Sequence, residues 1–171
     1  MPGLFLDLSK ISKGVDSNTA IPPRDIFTAL PGKNAKFQYP RDVQSEVWEK
    51  WFNIRNNPTT VIKMNTGSGK TSVGLIILKS CINEGVGPVV YLVPDNYLVE
   101  QVIEEANQLG IPVTSDEKSQ KFIAGQEILV TNIFKLVNGR SVFGVGDEGE
   151  KISIGSIIID DAHACLSTIE D

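Results

Sequence analysis

The chain has 171 residues, enough for one domain with a sizeable core, and its 41% hydrophobic and 22% charged residues are those of a folded globular protein. A net charge of −5 argues against a broad cationic surface for nucleic acid, though not against a motor that grips a strand with backbone amides and a few side chains. No apolar run reaches membrane-spanning length, no signal-peptide pattern opens the chain, and Cys81 and Cys165 show no paired spacing, so a cytoplasmic protein (nuclear if eukaryotic) with no membrane partner is expected.

Residues 1–36 read as an irregular extension rich in turn formers, with a short helix over 21–31 opened and stopped by prolines. Val43, Val47 and Trp51 recur every four residues and predict an amphipathic helix over 41–52. A β-branched strand over 59–63 comes next, then a helix over 70–84 with Val73, Ile76, Ile77 and Cys81 on one face. The continuously apolar segment 89–93 reads as a strand buried on both sides. Asp95 or Asn96 caps a helix that Gly110 stops. A short strand over 111–113, a short helix over 119–124, a strand over 128–131 and a short helix over 133–137 follow. The glycine-rich, acidic stretch 138–155 reads as a solvated loop or hairpin, and 157–159 as a strand. This alternation predicts an α/β fold, a parallel β-sheet with helices on both faces and ligands at the carboxyl ends of the strands.

Two motifs fall at such strand ends. Met64-Asn65-Thr66-Gly67-Ser68-Gly69-Lys70-Thr71 has the pattern of a loop whose backbone amides, with the N-terminus of the following helix, cradle phosphate. Thr66, Gly67, Ser68 and Gly69 shape the cradle, Lys70 reaches the β- and γ-phosphates, and Thr71 ligates Mg²⁺. The bland reading is a Gly-Ser-Gly surface turn. Asp160-Asp161 follows the isoleucine run. One carboxylate there suits Mg²⁺ and its neighbour suits orientation of a water, while alone such a pair is more often a turn or helix cap. Trp48 and Trp51 read as core rather than as base-stacking groups, and the region of Lys118 and Lys121 as a solvated face.

These residues resemble the first RecA-like domain of a superfamily 2 helicase of the DEAD/DEAH-box group, over roughly residues 37–165. The phosphate loop resembles motif I, and Asp160-Asp161-Ala162-His163 resembles motif II. The resemblance implies ATP and Mg²⁺ as cofactors, Lys70, Asp160 and Asp161 as catalytic residues, and Gln44 with Arg41 as the adenine-side reader. It also implies Thr71 and Asp160 as Mg²⁺ holders, and Pro94, Asn96 and Thr131, in segments similar to motifs Ia and Ib, as contacts to DNA or RNA. The form of motif I resembles DNA-translocating and restriction-type relatives, which leans the expectation towards DNA.

Residues 37–171 are thus expected to form the first RecA-like domain, stopping before motif III and before a second RecA-like domain in the same longer chain. Nucleotide binding with little or no turnover is expected of the chain alone. Asp161 stands where the family has Glu, one methylene shorter, and Asn96 where Arg is common. His163 reads either as a coupling group towards the second domain or as a cap. A weakly hydrolysing scaffold module and a P-loop NTPase of another class are the alternatives.

Overall fold

The computed structural model describes residues 19–138 and 151–170, so most of the expected loop over 138–155 and the start of the extension lie outside it. The first helix, α1 (Pro23–Ala29), has proline at N1, where the missing N–H is no loss, and ends at Leu30 in extended backbone. A 3₁₀ turn at Ala35–Phe37 is capped by the Asn34 side chain. Helix α2 (Asp42–Ile54) follows. Its buried face differs from the expected one. Gln44 and Trp48 are buried, Val47 and Trp51 partly so, and Val43 is exposed. The four-residue spacing marked the helix correctly, but Gln44 displaces Val43 from the stripe because its amide is spent on backbone groups described below.

Helix α3 (Lys70–Asn83) is buried from Ser72 through Leu78, not on one face alone. It lies between the sheet on one side and α1 and α2 on the other. Trp48 is fully buried, donates its indole N–H to the Val73 carbonyl at 3.2 Å and packs on Phe27 with ring centroids 5.4 Å apart. Tryptophan can be buried this deeply because its polar N–H finds an acceptor.

The sheet alternates with the remaining helices. Strand β1 (Val89–Val93) is followed by α4 (Asn96–Leu109), which Asp95 caps by accepting from the Leu98 N–H at 2.9 Å and Gly110 closes at φ +77°. Then come β2 (Val113–Thr114), α5 (Gln120–Ile123), β3 (Ile128–Asn132) and α6 (Ile133–Val137). Last are β4 (Ser156–Ile159) and α7 (Ala162–Glu170). All pairings are parallel, in the order β2-β3-β1-β4. Period two divides β1 between two cores. Val89, Tyr91 and Val93 join α3, α4, Phe27 and Trp48. On the other face, Val90 packs with Phe122 of α5, and Leu92 with Ile133 of α6 and Cys165 of α7. The fold is thus an α/β parallel sheet with helices on both faces.

One expected strand is missing. Residues 59–63 are extended but join no ladder, and Val61 is 78% exposed. β-Branched composition favours a pleated, half-buried setting but needs a neighbouring strand to supply it. Here the sheet ends at β4, whose Ile157 and Ile159 are themselves exposed.

Candidate nucleotide site

Without a paired strand behind it, the phosphate loop takes its shape from local bonds and from α2. The Ser68 N–H donates to the Asn65 carbonyl at 3.1 Å, and the Ser68 hydroxyl binds the same oxygen. Gly67 and Gly69 sit at φ +79° and +85°, in the left-handed region that favours glycine. Gly69 is also crowded: a Cβ there would lie 2.3 Å from Gln44 Nε2, whereas one at Gly67 would meet open space. Two α2 residues strap the loop down. Arg41 Nη1 donates to the Gly67 carbonyl, and Gln44 Nε2 donates to the Gly69 carbonyl at 3.2 Å. Gln44 Oε1 meanwhile accepts the Arg41 N–H at 2.9 Å. Both ends of the Gln44 amide are therefore engaged with backbone, and the side chain is buried. Thr66 and Lys70 are exposed and Thr71 half-buried at the open N-terminus of α3.

The acidic pair lies where β4 ends. Its backbone N–H to the Leu92 carbonyl, at 2.9 Å, fixes Asp160 in register beside β1. The buried Tyr91 hydroxyl donates to Asp160 Oδ2 at 2.9 Å, and the Tyr91 ring packs under Gly74 of the helix that the loop opens. Burial pushes the Tyr91 phenol far up, the Asp160 charge pushes it further, and Tyr91 stays a proton donor. The loop and the first carboxylate, distant in sequence, thus meet through Tyr91. Asp161 does something different. It sits at φ +49°, is exposed, and its Oδ1 accepts the Ala164 N–H at 3.3 Å, capping the first turn of α7. Its neighbour His163 is exposed on that turn.

At the ends of β1 and β3 the structure is less accommodating. Pro94 is buried, and Thr131 is 3% exposed, its hydroxyl oxygen unpartnered among the described residues. Strand period puts Thr131 on the Leu129 face, under the α6–α7 side, so it presents nothing to a passing strand as it stands. Asn96 is exposed, and its Oδ1 accepts from Asn132 Nδ2 at 2.5 Å, tying the two strand ends together. Tyr97 and Phe134, 67% and 59% exposed, flank that bond. Neither stood out in the sequence; an aromatic within a few residues of an apolar strand's end was the available signal.

A cation fits the chemistry of Thr71 and Asp160. Both are hard oxygen donors, and one carboxylate plus one hydroxyl beside a phosphate cradle is the sparse set that suits Mg²⁺, which keeps most of its waters. No cluster of three or more metal-ligating His, Cys, Asp or Glu exists among the described residues.

A parallel α/β sheet with a phosphate loop opening one helix and an Asp at a neighbouring strand end defines a P-loop nucleotide-binding domain of the RecA-like, helicase type. The chain belongs to the family described as type III restriction enzyme, res subunit, whose model matches residues 38–168, a superfamily 2 helicase-like N-terminal RecA-like domain. No curated protein and no solved structure matches it. Membership makes this a helicase-like ATP-binding domain. No helix among the described residues is long and apolar enough to cross a membrane.

Proposed function

We propose that this chain is the nucleotide-holding half of an ATP-driven nucleic-acid translocase or helicase acting on DNA or RNA, with DNA the favoured track. The position of Tyr91 supports this reading: packed under the helix that the loop opens and bonded to Asp160, it brings the loop's helix and a distant carboxylate onto one buried side chain, which a bare surface turn has no reason to share. In this reading the amides of Thr66 to Thr71 and the Lys70 ammonium take the triphosphate. Thr71 and Asp160 hold Mg²⁺, which when bound neutralises charge on the β- and γ-oxygens. A second RecA-like domain in the same longer chain closes over the γ-phosphate. Arg41 and Gln44 hold the loop from behind, and the Gln44 amide keeps one further N–H and one further lone pair that adenine could use.

Asp161 favours a second reading, of a module that binds ATP but hydrolyses it slowly. Its short side chain is the right length to cap α7 and is so used; a catalytic carboxylate displaced by about 1 Å can lose on the order of 100-fold in rate. The discriminating experiment is Mg²⁺-ATPase activity of the full-length protein with and without single-stranded DNA and RNA, beside Asp161→Glu. Strand-stimulated turnover in the parent supports the motor. Recovery only in Asp161→Glu supports the slow module, at a loss of roughly 0.5–2 kcal/mol of stability from the lost cap.

A further inference from the structure

One polar group at the nucleotide site, the Tyr91 hydroxyl, belongs neither to the loop, nor to Arg41 and Gln44, nor to the acidic pair. Tyr91 lies in the middle of β1, 1% exposed, with its hydroxyl on Asp160 Oδ2 at 2.9 Å. A tyrosine in a five-residue strand that is otherwise valine and leucine is chemically out of place. Phenylalanine would fill the same volume with no polar atom to satisfy. The helix above has made room for it. Gly74 lies on the buried face of α3, and a Cβ there would stand 2.8 Å from Tyr91 Cε2. The ring therefore runs under α3 at its glycine, and its oxygen reaches Asp160.

We propose that Tyr91 is a positioning residue for the divalent cation: its hydroxyl holds Asp160 Oδ2 and so orients the carboxylate that would take the cation together with Thr71. This rests on the nucleotide-site reading above. Tyr91 touches neither phosphate nor cation; it acts through Asp160. A half-buried carboxylate with one oxygen fixed loses less freedom when it takes up a cation, so removal of the hydroxyl weakens cation binding and leaves the phosphate cradle intact.

The test is Tyr91→Phe in the full chain, which deletes one oxygen and keeps the packing. Binding of a fluorescent adenosine diphosphate is titrated in EDTA, and the Mg²⁺ concentration giving half-maximal enhancement of that binding is then measured. We expect that concentration to rise by about 10- to 100-fold, with metal-free affinity unchanged. In an Asp160→Asn background the same substitution should change nothing further, since the partner is already disabled. An unchanged Mg²⁺ midpoint, or equal loss with and without Mg²⁺, overturns the proposal and makes Tyr91 an ordinary core residue. Failure of the parent chain to bind nucleotide at all overturns the underlying site reading and the proposal with it.

Discussion

At the residue scale, the nucleotide loop is a set of backbone conformations held by side chains from another helix. Gly69 shows this best. It needs a positive φ, and it needs an empty Cβ position because Gln44 Nε2 fills that space while donating to its carbonyl. The left-handed conformation alone costs a non-glycine residue on the order of 1–2 kcal/mol. Gly69→Ala is therefore expected to break the Gln44 strap and weaken nucleotide binding by at least about tenfold. An alanine at Gly67, where nothing crowds the Cβ, should be milder; fluorescent-nucleotide titrations of both variants check the order. The loop motif and the place of the acidic pair could be read from the chain because their patterns are local, and so could the helix-cap reading of the pair, since Asp161 caps a turn only three residues on. The contacts of Gln44 and Tyr91 could not, because each depends on which distant backbone or carboxylate the fold brings within 3.5 Å. Thr131 illustrates the same limit. Its place at a strand end was legible, but the direction of its side chain depends on a register that only the paired strands define.

At the scale of elements, the alternation of strand and helix was legible almost throughout, since continuous apolar runs such as 89–93 and capping residues such as Asp95 and Gly110 are self-contained signals. The segment 59–63 failed for the converse reason. Its β-branched residues state a preference, and a ladder needs a second strand. The loop is held instead by the junction of α2 with α3, through Trp48, Arg41 and Gln44, so α2 is part of the nucleotide site's foundation. The α3–β1 contact is equally tight. Gly74→Ala forces a Cβ to within 2.8 Å of the Tyr91 ring and 3.4 Å of Ile158. Overpacking of this kind costs roughly 1–3 kcal/mol, against a helix-propensity gain of about 1 kcal/mol. A net fall in thermal midpoint of a few degrees is expected at this chain length, together with the higher Mg²⁺ requirement that follows from a displaced Tyr91. A stabilised Gly74→Ala variant would mean that the ring does not run under this glycine.

At the scale of the whole molecule, the α3 side of the sheet carries the main core and the far side only small clusters around Phe122 and Cys165. The β4 edge is open among the described residues, with Ile157 and Ile159 40% and 48% exposed and Val61 and Ile62 exposed as well. An apolar strand edge is a template for pairing. Ile157→Lys is therefore expected to reduce self-association in sedimentation velocity while changing stability by no more than about 1 kcal/mol. The central claim concerns the other end of the strands: that one site, made by the loop on α3 and Asp160 on β4, takes a nucleoside triphosphate with its cation. The most direct test is equilibrium binding of a fluorescent ATP analogue to this chain with Mg²⁺ and with EDTA, for the parent, Lys70→Ala and Asp160→Ala. The account predicts saturable binding by the parent. It predicts a loss of at least about tenfold in Lys70→Ala under both conditions. In Asp160→Ala the loss should appear only with Mg²⁺. Binding indifferent to Lys70, or no binding by the parent, would contradict it.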